Sequence, residues 1–167
     1  MTETINFFPH TIVRNGQDSL MEDLQHCFTD GKILLAHAPT GLGKTASSLT
    51  IAIDHAIKSK KRIFFLTNRH TQHKIVIETI HLIEKKINSK IPTADLIGKR
   101  WMCNHPIAQM AGKDFNEFCK SLVEKGNCEF YERVYKKNAL QPEAKLFLSE
   151  LRRQGTIHNE ELKLLSM

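Results

Sequence analysis

Ile33-Leu34-Leu35-Ala36-His37-Ala38-Pro39-Thr40-Gly41-Leu42-Gly43-Lys44-Thr45 is the stretch on which the fold turns. Its first four residues are apolar without polar alternation, the pattern of a short strand buried on both faces. A loop follows through Gly43, and beyond it Leu49, Ile53 and Ile57 recur at helical spacing. Residues 38–45 fit the Walker A spacing, with Ala38 in place of the first glycine. The chemistry needs these residue types. Gly41 and Gly43 allow backbone angles closed to other residues, so that amides turn inward. Those amides and the start of the following helix make a nest for phosphate oxygens. Lys44 supplies a mobile positive charge for the β and γ phosphates, and the Thr45 hydroxyl is placed to hold Mg²⁺. The bland alternative is a glycine-rich turn that only joins strand to helix. An eight-residue match between an apolar run and a helical pattern argues against it.

The neighbouring segments extend the pattern. Residues 1–16, with Phe7, Phe8, Pro9 and Gly16, read as a loop. Leu20, Met21, Leu24, Cys27 and Phe28 mark one face of a helix from Gln17 to Phe28, which Thr29-Asp30-Gly31 stops. Ile63-Phe64-Phe65-Leu66 predicts a second buried strand, and Ile75, Ile77, Ile80, Ile83 and Ile87 a further helix. Strand, loop, helix, strand, helix in this order predicts the start of a parallel α/β sheet. After about residue 98 strand-length apolar runs disappear. Asp114–Val123, Glu143–Leu151 and Asn159–Leu165 read as helices, so residues 1–98 and 99–167 are expected to be separate modules, the second mostly helical.

Composition limits the alternatives. The chain has 167 residues, 41% hydrophobic and 25% charged, with 8 Gly and 5 Pro, which excludes a disordered or collagen-like chain. No apolar run reaches the ~20 residues of a membrane span, and the N-terminus lacks a secretory pattern. A cytoplasmic protein with no membrane partner is expected. The net charge of +6 fits a polyanionic partner, but on charge alone ordinary solubility is the favoured reading. Hydrolysis of a bound triphosphate needs an acidic residue at the end of a neighbouring strand. Leu49–Asp54 imitates that signature, but it must lie on the helix after the loop, which carries Asp54 away from the phosphates.

Several motifs together resemble the N-terminal part of an XPD-type helicase, a superfamily 2 DNA helicase carrying an iron–sulfur cluster. Arg14-Asn15-Gly16-Gln17 is similar to the element ahead of motif I, and Ala38–Thr45 to motif I. Leu66-Thr67-Asn68-Arg69-His70-Thr71-Gln72 is similar to motif Ia. Met102-Cys103-Asn104-His105-Pro106, Phe118-Cys119 and Cys128-Glu129-Phe130-Tyr131-Glu132 resemble the settings of three cluster cysteines.

The resemblance implies a partial RecA-like P-loop NTPase sheet with an inserted, mostly helical iron–sulfur module. It implies ATP bound by Arg14, Gln17, Ala38, Pro39, Thr40, Gly41, Leu42, Gly43, Lys44 and Thr45, with Lys44 catalytic and Thr45 on Mg²⁺. It implies a 4Fe–4S cluster on Cys103, Cys119 and Cys128, and DNA contacts from Thr67, Arg69, His70 and Gln72. The implied activity is ATP-dependent 5′ to 3′ unwinding by a monomeric motor acting on single-stranded DNA and duplex junctions, with DNA repair as its setting. The source implied is archaeal or bacterial, or nuclear if eukaryotic. The fourth cluster cysteine, the DEAH-type acidic motif and the second motor domain would lie outside residues 1–167, so these residues alone are expected not to hydrolyse ATP. Two alternatives stay open: an inactive nucleotide- or DNA-binding fragment, and another P-loop NTPase whose Cys103, Cys119, Cys128 and His105 hold structural zinc. Cys27, on the apolar face of the first helix, reads as a small buried hydrophobe. Lys99, Arg100, Lys136, Lys137, Arg152 and Arg153, with Tyr131 and Tyr135, form a candidate single-strand surface, while Trp101 is expected in a small core.

Overall fold

A computed structural model describes residues 7–137 and 139–167, apart from the side chain of His70. The chain divides into two compact units, up to Ser89 and from Lys90 onward. The division falls ahead of the break expected near Ile97-Gly98. The reason is that Thr93 and Ala94 are hydrogen-bonded into the second unit, opposite Thr156 and Ile157.

The first unit is built on three helices: α1 (Gln17–Asp30), α2 (Lys44–Ser59) and α3 (His70–Ile87). Each ends on a left-handed residue, Gly31, Lys60 and Asn88, whose amide returns to a carbonyl of the last turn. Helix α2 packs on both α1 and α3. On its α1 side, Phe8, Met21, Ala46 and Ile51 form a buried cluster, with Val13 and Leu24 packed against it. Leu49 and Ile53 of α2 and Val76, Ile77, Ile80 and Ile83 of α3 are also buried. The buried positions of α3 follow an i, i+1, i+4, i+7 pattern, one helix face. Ile75 lies off that face and is half exposed. Lys86 at the end of α3 donates to the Phe8 carbonyl at 2.6 Å, tying the entering loop to the last helix.

The two expected strands are a correction. Residues 33–36 and 63–66 join no ladder among the described residues, where sheets form only between other segments. Ile33 and Leu35 are 97% and 98% exposed, and Phe64 and Leu66 are 81% and 87% exposed. An apolar run holds a two-sided strand only when neighbours cover both faces and complete its hydrogen bonds. Here the described residues supply neither.

The parallel pair that does form lies in the second unit. β1 (Thr93–Ala94) pairs with β4 (Thr156–Ile157), Thr93 opposite Thr156. Between them come α4 (Lys99–Met102), a 3₁₀ turn at Pro106–Gln109, α5 (Gly112–Glu124) and α6 (Glu129–Val134). An antiparallel pair of β2 (Tyr135–Lys136) and β3 (Ala139–Leu140) follows, then α7 (Pro142–Gln154). Helix α8 (Asn159–Leu165) ends the unit. The fold is therefore α/β and mostly helical, with a small parallel sheet. The buried Asp95 carboxylate fastens β1 to α8, accepting from both the backbone and the side-chain N–H of Asn159.

Ile83 has no exposed surface, whereas Leu146 on α7 is 72% exposed. Ile83→Ala should lower unfolding stability by about 2–5 kcal/mol, and Leu146→Ala should change it by less than ~0.5 kcal/mol. Chemical denaturation of both variants checks the assignment.

Candidate functional site

The loop between His37 and Lys44 is shaped by its glycines. Gly41 and Gly43 have φ of +86° and +87°. This left-handed backbone lets the chain turn sharply into α2. Gly43 is the N-cap of α2 and contributes no side chain to cap it. The leading N–H groups of the helix have no partner within it, and they add to the positive end of the helix dipole. Lys44 folds back over the loop, with Nζ donating to the carbonyls of Ala38 at 2.9 Å and Pro39 at 2.8 Å. Thr45 is next along the first turn and half-buried, Thr40 stands exposed, and Ala38 and Leu42 are half-buried. The structure thus brings residues 38–45 into one turn at the head of α2.

Arg14 and Gln17 reach the same loop from the start of α1. Arg14 Nη1 donates to the Gly41 carbonyl at 2.5 Å. Gln17 is 2% exposed; its Oε1 accepts from the Arg14 backbone N–H at 2.7 Å and its Nε2 donates to the Gly43 carbonyl at 3.4 Å. Gly16, in the stretch expected to be a loop, is needed here. Its φ of +83° turns the chain into α1, and a Cβ on it would touch Leu42 at 3.4 Å. The Asn15-Gly16 dipeptide is the local signal that pointed to it. The sequence pattern gives no signal for Ser47 and Thr50 of α2, whose hydroxyls are buried with no hydrogen-bond partner among the described residues.

Asp54 behaves as its place on α2 requires. It lies about 14 Å along the helix axis from Thr45, at 1.5 Å per residue, and pairs with Lys58 at 2.9 Å.

The α3 candidates form a local knot. Thr67 donates its hydroxyl to Gln72 Oε1 and accepts from the Arg69 backbone N–H at 3.3 Å. Arg69 is the N-cap of α3, and its side chain is exposed. The side chain of His70 lies outside the described residues.

The thiols sit on different elements. Cys103 follows α4, Cys119 is buried within α5, and Cys128 precedes α6; all three are free, as is Cys27. Cys27 itself is only partly buried. Among the described residues no three His, Cys, Asp or Glu side chains are grouped to hold a metal ion. As placed, Cys103, Cys119 and Cys128 do not fit a cluster, and adding His105 does not make a zinc set. His105 instead uses Nδ1 to accept from the Ile107 N–H at 3.2 Å, capping the 3₁₀ turn.

The aromatic candidates are partly brought together. Tyr131 and Tyr135 stack with ring centroids 5.4 Å apart, ahead of the exposed Lys136 and Lys137. Trp101 is 56% exposed, not in a core, and carries the Arg100 guanidinium 4.6 Å from its ring centroid.

The chain is 28% identical over 135 residues to a protein of Methanocaldococcus jannaschii described as "Probable ATP-dependent helicase". The match covers 81% of this chain but only 18% of the relative, so the chain spans less than a fifth of that protein's length. No family model matches the chain, and no solved structure does.

The two loop glycines make a controlled comparison. A Cβ at Gly41 meets nothing within 4 Å, whereas one at Gly43 would stand 2.3 Å from Gln17 Nε2. Gly41→Ala should cost about 1–2 kcal/mol for the left-handed backbone alone. Gly43→Ala should cost more, and the excess should shrink in a Gln17→Ala background. Thermal unfolding of the four variants measures both effects.

Proposed function

We propose that this chain is the nucleotide-binding front of an ATP-dependent helicase motor. The observation that carries the reading is the left-handed Gly41–Gly43 turn, which leads into an uncapped helix with Lys44 at its first position. A triphosphate is the ligand that uses all of these features. Its β and γ oxygens accept from the loop amides and the leading amides of α2. Lys44 leaves the carbonyls of Ala38 and Pro39 and follows the terminal phosphate. Thr45 supplies one oxygen to the accompanying Mg²⁺. The likeness to the archaeal helicase supports reading this phosphate loop as a motor's.

In this reading the exposed Arg69, with Thr67 and Gln72 at the start of α3, contacts the phosphates of a single DNA strand. Arg69 is the strongest of these contacts because it combines charge with a donor fork. The XPD-like character, the 5′ to 3′ direction and a role in repair follow from the motif resemblance alone.

A second reading concerns the residues in hand. Asp54, the one acidic residue that the local pattern offered, is far along α2 and paired with Lys58. Binding without turnover is therefore the activity expected of this chain by itself.

Calorimetric titration with MgATP tests the site. The protein should bind nucleotide and release no phosphate over hours. Lys44→Ala should weaken binding by about 10- to 100-fold, the range for losing a charged hydrogen-bond donor. Equal affinity in the variant would remove the phosphate-loop reading.

A further inference from the structure

The second unit carries an apolar cavity of about 390 Å³. The end of α4 and helices α6, α7 and α8 supply its walls, through Met102, Phe130, Val134, Ala144, Phe147 and Leu165. An apolar cavity of about 150 Å³ already takes a benzene ring, so this one has room for an indole. Glu143, in the first turn of α7, is the acidic residue of its lining and is exposed. Its carboxylate has no ion-pair or hydrogen-bond partner among the described residues.

The same unit holds the one tryptophan of the chain, Trp101, on α4 next to Met102 and 56% exposed. Its ring is fixed in place. A Cβ on Gly98 would stand 3.3 Å from its Cδ1, and the Arg100 guanidinium sits 4.6 Å from its centroid. Arg100 is held in turn, because Nη1 donates to the Met110 carbonyl at 2.9 Å. The guanidinium has five N–H donors, so the fork keeps others for a further partner. A side chain ordered beforehand loses little freedom on binding. Tryptophan and arginine seated against pockets are also the residues that most often carry the energy of protein interfaces.

We propose that two copies of this chain associate through the second unit, with Trp101 of each seated in the cavity of the other and Arg100 of each against Glu143 of the other. Within its own chain Trp101 rests on Gly98 and is no part of the cavity wall. Ring and cavity belong to one surface patch on each copy in this arrangement, and a two-fold interface requires such self-complementarity. The charges agree with it. Lys99 and Arg100 precede the ring, and the cavity edge carries the free carboxylate of Glu143, which suits a guanidinium fork. The area sets the strength. One aromatic side chain buries about 150–250 Å². With the outer parts of Val134 and Leu165, which are 37% and 41% exposed, the contact stays below the roughly 800 Å² per partner of a stable interface. The dimer is therefore weak and reversible, with a dissociation constant on the order of 10–100 µM. The phosphate loop takes no part, so this association stands or falls separately from the helicase reading.

Sedimentation velocity of the full chain over about 1–300 µM reads the mass across that range of affinity. Tryptophan emission reads Trp101 alone, since the chain has no other. The expected result is conversion of monomer to dimer, with emission moving to shorter wavelength over the same concentrations as the ring leaves water. Three variants locate the contact. Trp101→Ala removes the ring and Ala144→Phe fills the cavity, and each should abolish the dimer in this range. Glu143→Arg reverses the charge that meets Arg100 and should weaken the dimer about tenfold. It changes an exposed side chain, so it keeps the test in hand if either of the other two fails to fold by circular dichroism. A monomer at every concentration, the state that the motif resemblance implies, overturns the proposal. So does a dimer whose emission stays unshifted, one that survives both Trp101→Ala and Ala144→Phe, or one that Glu143→Arg leaves unchanged, because another surface then joins the copies.

Discussion

The left-handed backbone at Gly41 and Gly43 is the constraint from which the rest of the first unit follows. A side chain at either position would disfavour it by the contact between Cβ and the neighbouring carbonyl. Only with that backbone does the chain arrive at Lys44 ready to begin a helix whose leading amides face the loop. The core on the far side of α2, from Ala46 through Ile51, then fixes the helix against α1. Local conformation and tertiary packing thus act on the same few residues. A shift of α2 would disturb Phe8 and Met21, both buried in that cluster.

Electrostatics work in the same direction. Arg14 and Lys44 both donate to carbonyls of the loop, so two positive side chains lie against a segment without an acidic residue. An anion entering this turn meets amides, a helix N-terminus and mobile cations together. Each contribution is modest when exposed to water. On the proposed reading, their convergence favours a polyphosphate, with several charged oxygens in a row, over a single carboxylate.

The helices were legible in the sequence because their signal is local. A 3.6-residue period in apolar residues, stopped by Gly31, by the polar run ending near Lys60 and by the end of the isoleucine series at Ile87, places α1, α2 and α3 to within a few residues. The Gly41–Lys44 turn was legible for the same reason, since its glycines and lysine are adjacent in the chain. The strands expected at 33–36 and 63–66 join no ladder among the described residues, because a strand depends on what lies beside it and composition carries no record of the neighbour. The pair at β1 and β4 escaped notice for the converse reason. Two residues on each side are too short for a pattern, and their register is set by Asp95 and Asn159 reaching across 64 positions of sequence. The thiol trio shows a third limit. Spacing along the chain ranks cysteines as ligands, but convergence in space is a separate condition, and Cys103 lies just after α4, Cys119 within α5 and Cys128 just before α6.

Gln17 ties two helix starts together. It is a buried amide at the head of α1 whose Oε1 accepts from the Arg14 backbone N–H and whose Nε2 donates to the Gly43 carbonyl. A buried amide left without partners costs roughly 1–3 kcal/mol, so these bonds are favoured once the side chain is enclosed. A single side chain thus couples the start of α1 to the start of α2, and anything that moves α1 relative to the loop is felt at the Gly43 carbonyl.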